Sequence, residues 1–146
     1  MLHNLPSFAP PFHPYRFVFL DGCETAKGHW ASVFGIPEEP KTLSYYFTPN
    51  GTIIGRPSAF VGWKKRIPFA SKAFPLAVFP GFAKFRQQLL MYWADDGEPF
   101  AAAVDQANVD AKTFNPQVPL DWAKDIFITG YDQITFQMGN FNDPAF

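Results

Sequence analysis

The sequence predicts an α/β domain with a mostly parallel sheet flanked by helices. Two unbroken apolar runs, Phe17–Leu20 and Ala59–Trp63, are typical of sheet strands covered on both faces. Two helical patterns, over 82–94 and 100–111, separate the second run from a last apolar segment at 125–136. Strands that alternate with helices favour parallel pairing through right-handed crossovers.

The first apolar run leads into a turn that carries the only cysteine of the 146 residues. We expect Phe17–Leu20 to be a strand buried on both faces, Asp21–Gly22 to turn, and Cys23 to follow at once. Trp30–Phe34 is then expected to form a short helix closed by Gly35. A thiol at the carboxyl end of a sheet strand lies where open α/β sheets place their active sites.

The stretch between the two apolar runs is long and rich in proline. Thr42–Phe47 and Thr52–Ile54 are predicted to be short strands that pair around the turn at Pro49–Gly51. Ala59–Trp63 is predicted to be the next strand of the sheet. Residues 67–81 combine Pro and Phe and are expected to be irregular.

Two helices and a final pair of strands complete the prediction. The first helix is expected to end at Asp95–Gly97, and Pro99 suits the first turn of the second. Two short strands are expected around Gly130–Asp132. The predicted apolar faces consist of Phe82, Phe85, Leu89 and Tyr92 in the first helix, and Phe100, Val104, Ala107 and Ala111 in the second.

The composition argues against several classes of function. The net charge of −1, with no basic stripe, argues against a nucleic-acid partner. A single cysteine excludes an internal disulfide, and three scattered histidines lack the spacing of metal ligands, so neither a metal nor another cofactor is expected. We expect no membrane span, since no apolar stretch reaches 18 residues, and the first residues lack a signal peptide. A cytoplasmic location follows as an expectation.

The order of these elements resembles the carboxyl-terminal half of caspase-like cysteine peptidases, especially the bacterial CHAT domains. Cys23–Gly28, with the sequence Cys-Glu-Thr-Ala-Lys-Gly, is similar to the segment that carries the nucleophile in that family. Ala59–Trp63 resembles the strand that follows it, and residues 82–107 resemble its paired helices with a Gly-containing turn. Phe127–Asp132 is similar to its last strand.

The resemblance implies a three-layer caspase-like fold that is incomplete at its N-terminus. It divides the chain into a Pro-rich segment at 1–14, a caspase-like carboxyl-terminal subdomain at 15–138, and a tail at 139–146. The chain is then a fragment or relative of a cysteine endopeptidase. Its expected partners are a peptide or protein substrate, and the missing N-terminal half of the domain or another chain.

The resemblance also implies roles for individual residues. Cys23 is the nucleophile, Asp21 and Gly22 lie at the oxyanion and substrate side, and Trp63 lines a substrate groove. In the family the catalytic histidine precedes a glycine on a strand upstream of the cysteine, and none of the three histidines here precedes a glycine. His29 is the remaining candidate for the base. The chain alone is therefore expected to be inactive.

The same residues also fit an ordinary structural interpretation. Cys23 is then a buried cysteine that packs like a small apolar side chain. Asp21 is a turn residue, and Trp63 belongs to the core. Under this alternative the chain is a non-catalytic module that binds another protein.

Overall fold

The described part of the chain contains one sheet and three helices. The computed structural model describes residues 15–46, 56–67, 78–114 and 121–137. The strands are β1 (Phe17–Phe19), β2 (Ala59–Trp63) and β3 (Ile126–Gly130), and the helices are α1 (Trp30–Val33), α2 (Phe79–Leu90) and α3 (Phe100–Phe114). The sheet order is β1-β2-β3. The predicted α/β class is confirmed.

The sheet is mixed, although the sequence predicts a mostly parallel one. β1 runs parallel to β2, and β3 runs antiparallel to it. Parallel neighbours need a long crossover, and the chain between β1 and β2 supplies one that includes α1. β3 begins beside the end of β2, where Ile126 pairs with Trp63, so α2 and α3 together bring the chain back to the end of the sheet that it left.

The central strand β2 is the strand that is buried on both faces. All five of its residues are buried. Ala59, Val61 and Trp63 point into the larger core with α2 and α3, while Phe60 points into a smaller core with Ala31 of α1. Side chains on a strand alternate between its faces, so one apolar run serves both cores. Helices therefore cover the sheet on both sides, as three layers.

β1 packs on both faces, with Phe17 and Phe19 against the larger core and Val18 and Leu20 against the smaller one, but it is less buried than predicted because it is an outer strand of the described sheet. Its three residues are only half-buried. The carbonyl of Arg16 accepts from the Ala59 N–H at 2.9 Å, and the Leu20 N–H donates to the Val61 carbonyl at 2.9 Å. In a parallel pair alternate residues bond to the neighbour. The backbone groups of Phe17 and Phe19 therefore face the other edge, where no described strand pairs with them.

The opposite edge of the sheet is paired at Gly130, the last residue of β3. The Gly130 N–H donates to the Glu39 carbonyl at 3.0 Å, and the Lys41 N–H donates to the Gly130 carbonyl at 2.7 Å. Gly130 has a φ of 74°, and a Cβ at this position would lie 2.1 Å from the Ser58 carbonyl oxygen. Only glycine fits there. Within the described ranges the two edges of the sheet thus differ at one end: residues 39–41 pair with Gly130, the last residue of β3, while no strand pairs with β1.

The two long helices follow the prediction closely. α2 begins three residues before the predicted start and continues into a π-helical turn, Met91–Asp95, that ends before Gly97. α3 begins directly after Pro99, and its predicted apolar face is buried. Four aromatic rings of this core, from β1, the π-helical turn and α3, contact one another in stacked, tilted or edge-on pairs. They are Phe17, Trp93, Phe100 and Phe19.

Other predicted elements are absent or lie outside the described residues. Leu43–Tyr46 is a 3₁₀-helix rather than a strand, and it buries only Tyr46. Residues 131–137 contain no second strand after β3. The partner strand Thr52–Ile54, the Pro-rich segment 1–14 and the tail from 139 lie outside the described residues.

One buried asparagine joins α3 to the chain that enters β3. Asn108 is 7% exposed, and its Oδ1 accepts from the backbone N–H groups of Trp122, at 2.8 Å, and Ala123, at 3.3 Å. Its Nδ2 donates to Asp121 Oδ1 at 2.9 Å. A single side chain therefore satisfies two backbone N–H groups in the segment before β3, where the chain does not yet form sheet hydrogen bonds.

We predict that Asn108→Ala lowers the free energy of unfolding by about 2–3 kcal/mol, because it leaves a buried N–H without an acceptor. Gln106→Ala is the matched control, since Gln106 is exposed on the same helix, and it should change stability by less than about 0.5 kcal/mol. Urea unfolding of the three proteins measures both values. Equal stability of the two variants would contradict this role for Asn108.

Candidate functional site

The candidate nucleophile lies on a short turn, residues 21–25, which we call the cysteine turn. Cys23 is exposed. Its sulfur forms two hydrogen bonds with the backbone of Ile67. The Ile67 N–H donates to Sγ at 3.4 Å, and the thiol donates to the Ile67 carbonyl oxygen at 3.6 Å. Ile67 is buried in the larger core, just beyond β2. Cys23 is therefore an exposed residue whose sulfur is fixed on one side by the Ile67 backbone.

The hydroxyl of Thr25 holds the cysteine turn against the central strand. Thr25 Oγ1 accepts from the Trp63 N–H at 2.9 Å. Its own hydrogen is shared between the carbonyls of Leu20, at 2.8 Å, and Gly22, at 3.0 Å. One oxygen thus connects the end of β1, the turn itself and the end of β2.

The close approach of the turn to β2 requires a glycine in the strand. A Cβ on Gly62 would lie 2.9 Å from Thr25 Oγ1 and 3.1 Å from the Ala26 backbone nitrogen. The distance of 2.9 Å to Thr25 Oγ1 is shorter than real Cβ contacts, so a side chain at this position would force the turn or the strand to move. An isolated glycine within an apolar run indicates such a backbone contact, so the sequence contained this signal.

Asp21 is fixed by two partners from other elements. Trp63 Nε1 donates to Asp21 Oδ1 at 2.9 Å, and the Arg86 guanidinium of α2 forms an ion pair with the other carboxylate oxygen. Trp63 itself is 0% exposed and packs against Phe82. Trp63 therefore lies in the core rather than along an exposed groove, and it contributes to the site by orienting Asp21.

The residue after the cysteine has an unusual backbone conformation. Glu24 has a φ of 58° in the left-handed region, where residues other than glycine are uncommon. Its N–H donates to the Lys65 carbonyl at 3.1 Å, and its carboxylate pairs with Lys27 at 2.8 Å. Tertiary contacts thus hold the turn in a conformation that Glu24 would rarely adopt alone.

The structure does not bring His29 to Cys23. His29 Nδ1 lies 2.7 Å from Glu38 Oε2, its side chain is 89% exposed, and it lines a cavity on the sheet face opposite α2 and α3. Cys23 instead contacts Ile67 in the core on the helical side. Within the described ranges no hydrogen bond joins the two side chains. His3 and His13 lie outside the described residues.

The pairing of His29 with Glu38 shifts the pKa of both groups. The hydrogen bond and the charge of Glu38 raise the pKa of His29. The hydrogen bonds from His29 and Ser32 lower the pKa of Glu38. The pair is exposed, and both of its members are charged only at pH values between the pKa of Glu38 and the pKa of His29.

Comparisons with known proteins identify no relative of this chain. No family model matches the chain, and neither a curated protein nor a solved structure matches it. In the described segments, no cluster of three or more His, Cys, Asp or Glu side chains is placed to hold a metal ion. None of the helices in those segments is long and apolar enough to cross a membrane.

We predict that Thr25→Val lowers the free energy of unfolding by about 1–3 kcal/mol, because the Trp63 N–H loses its acceptor. Thr113→Val is the matched control: Thr113 is exposed on α3, where its hydroxyl only donates back to the Val109 carbonyl. That variant should change stability by less than about 0.5 kcal/mol. Urea unfolding measures both, and a Thr25→Val protein as stable as the control would refute the proposed contact.

We predict that His29 titrates above the usual imidazole pKa of about 6.5, and that Glu38→Gln brings its midpoint back to that value. Because the folded-state pKa is raised, the pair stabilises the fold below the unfolded pKa, and this contribution is lost as pH rises through the folded pKa. Because the folded-state pKa of Glu38 is lowered, its contribution to stability is lost as pH falls through that pKa. Glu39→Gln is the control and should leave the NMR midpoint unchanged; a midpoint insensitive to Glu38→Gln would exclude the pair.

Proposed function

We propose that this chain is the nucleophile-bearing part of a caspase-like cysteine peptidase domain, with Cys23 as its nucleophile. One observation carries the proposal. An exposed thiol stands on a pinned turn at the carboxyl end of β1, and β1 has an outer edge without a described partner. The outward backbone groups of Phe17 and Phe19 are a template for another strand.

A strand that pairs with this edge can supply the missing imidazole. If it runs parallel to β1, its carboxyl end meets the sheet edge beside the cysteine turn. A histidine directly after such a strand then lies within reach of Cys23 Sγ. The strand belongs to another segment or to a second chain, because His29 is already engaged with Glu38 on the other face.

The chemistry of the completed site is acyl transfer. The imidazole takes the thiol proton, and the thiolate of Cys23 attacks the carbonyl carbon of the peptide bond, so that the carbonyl electron pair moves onto oxygen. The Cys23 N–H, which donates to no acceptor in the described segments, is a donor for that oxyanion. The tetrahedral intermediate expels the amine, which takes the proton from the imidazolium. Water then hydrolyses the thioester and restores the thiol.

The rigidity of the cysteine turn supports this function. Partners of the turn lie 38 to 44 residues away in sequence, at Trp63 and Ile67. A nucleophile fixed by such contacts loses little freedom when substrate binds, and preorganisation of this kind lowers the barrier of acyl transfer. The exposed free thiol also suits the reducing cytoplasm, where it stays available for chemistry.

A second candidate function is favoured by the contacts of the sulfur itself. Because the Ile67 backbone donates to Sγ and accepts from the thiol, the sulfur already has both kinds of hydrogen-bond partner. Under this second proposal Cys23 is not a nucleophile and only anchors the turn to Ile67. The outer edge of β1, which has no described partner, then binds a strand of another protein without catalysing a reaction.

The test is covalent labelling by a peptidyl acyloxymethyl ketone, which reacts with catalytic cysteines of peptidases but hardly with ordinary thiols. We predict that the isolated 146-residue chain is alkylated at Cys23 by iodoacetamide but is not labelled by the peptidyl ketone. The same chain, tagged at its own chromosomal locus and treated inside living cells, should be labelled at Cys23. Mass spectrometry of the tagged protein locates the label.

The control is a Cys23→Ser chain at the same locus, which should carry no label. An absence of label on the tagged wild-type chain inside cells would reject the peptidase proposal and leave the non-catalytic module. Labelling at another residue, or labelling that survives in Cys23→Ser, would reject the assignment of Cys23 as nucleophile.

A further inference from the structure

Basic side chains from three separate segments lie together at the carboxyl end of β1 and β2. Because these strands are parallel and β3 begins beside the end of β2, the residues after β1, after β2 and before β3 meet there. The Lys64 N–H donates to the Asp125 carbonyl at 2.8 Å, and the Glu24 N–H donates to the Lys65 carbonyl at 3.1 Å. We call these exposed side chains the basic cluster: Lys27, Lys64, Lys65, Arg66 and Lys124.

The acidic side chains at this end do not neutralise the basic cluster, since each already has a cationic partner. The pairs are Lys27 with Glu24 at 2.8 Å, Lys65 with Asp125 at 3.6 Å, Lys112 with Asp121 at 3.8 Å, and Arg86 with Asp21. In the described part of the chain, no carboxylate pairs with Lys64, Arg66 or Lys124. Lys64 Nζ only donates to the Lys124 carbonyl, at 3.1 Å. An excess of positive charge therefore remains at this end of the sheet.

The basic cluster adjoins the cysteine turn. The Ile67 backbone holds Cys23 Sγ, and Arg66 is the residue before Ile67. The hydrogen bond and the charge of Lys27, and to a smaller extent the charge of Arg66, lower the pKa of Glu24. A negative group bound by the cluster would therefore lie near the thiol.

The opposite end of the sheet has the reverse charge. There Gly130 at the end of β3 bonds to the backbone of residues 39 and 41, and α3 begins with the Ala101 N–H bonded to the Asp132 carbonyl. Acidic side chains outnumber basic ones in this region, with Glu39, Asp95, Asp96, Glu98 and Asp132 against Arg16, Lys41 and Arg56. A charge distribution of this kind directs an acidic ligand toward the basic cluster.

We propose that the carboxyl end of the sheet binds a short acidic stretch of a peptide, whose carboxylates lie on the basic cluster. Neighbouring strands are about 4.8 Å apart, so the cluster spans roughly 10 Å across the sheet, the length of about three extended residues. A nucleic acid is charged along its whole backbone and would also meet the acidic end, so a local acidic stretch fits better. Under the proposed function this peptide is the substrate; the inference rests on that proposal for its role but not for the binding.

Two fluorescein-labelled peptides test this site. One carries a run of glutamates between Gly-Ser flanks, and the other carries glutamines in their place. Fluorescence anisotropy with the isolated 146-residue chain should show saturable binding of the glutamate peptide at low ionic strength, and at least about tenfold weaker binding of the glutamine peptide. NMR of the ¹⁵N-labelled chain should show shifts at the amides of Lys64, Arg66 and Lys124, and none at Lys41.

Variants of the exposed cations locate the site. The combined change Lys64→Gln, Arg66→Gln and Lys124→Gln should weaken binding of the glutamate peptide by about tenfold or more, since each exposed charge contributes a modest share. Lys41→Gln removes the same charge at the other end and should change the Kd by less than about twofold. Arg66→Gln alone, with an expected loss of about twofold to threefold, gives a second measurement if the combined variant does not fold.

Three results would overturn the proposal. They are equal binding of the two peptides or no saturable binding, an unchanged Kd in the variants of the cluster, and equally tight binding of an oligouridylate of equal charge, which would indicate a nucleic-acid surface instead. The assay involves no reaction of Cys23. A chain that binds the glutamate peptide but is not labelled by the peptidyl ketone in cells would thus keep this site and lose the peptidase proposal, and the reverse result would reject this site alone.

Discussion

The contact between the Thr25 hydroxyl and the end of β2 determines where the thiol lies. That oxygen serves the Trp63 N–H and the carbonyls of Leu20 and Gly22, so it closes the cysteine turn and docks it in one place. Gly62 makes the contact possible, because any side chain there would meet Thr25. Without this pair the turn would keep its contacts at Asp21, Cys23 and Glu24 but would lose its bond to the end of β2.

The same short segment connects two different surfaces of the molecule. Residues 21–25 carry the thiol beyond the carboxyl end of β1, where the sulfur contacts Ile67, while residues 26–29 line the cavity on the other face of the sheet. The ion pairs of Lys27 with Glu24 and of His29 with Glu38 lie along this segment.

Much of the fold could be predicted from the sequence because it depends on local pattern. The bounds of β2 follow from a continuous apolar run between Pro57 and Lys64, and α3 follows from Pro99 and a regular apolar period. The outer position of β1 could not be predicted, since Phe17–Leu20 has the same apolar character as β2 and only its neighbours differ. The 3₁₀-helix at Leu43–Tyr46 was missed because its aromatic and polar residues fit a short strand equally well.

The site could be predicted only in part, for a similar reason. Cys23 follows a strand directly, so its place at the carboxyl end of β1 was evident from the chain itself. The groups that fix it, Trp63, Ile67 and Arg86, are distant in sequence, and no local pattern indicates which of them would reach the turn. The separation of His29 from Cys23 likewise depends on the packing of α1 against Phe60, which places His29 on the other face of the sheet.

Hydrogen exchange of the β1 amides tests the central claim most directly, namely that the outer edge of β1, which has no described partner strand, is free to pair with another strand. The Leu20 amide is bonded to Val61 and should exchange slowly, whereas the Phe17 and Phe19 amides face the unpaired edge and should exchange orders of magnitude faster. NMR exchange at residue resolution separates the three amides. Slow exchange of all three amides would mean that a strand already occupies this edge, and the claim that the edge is free to pair would be wrong.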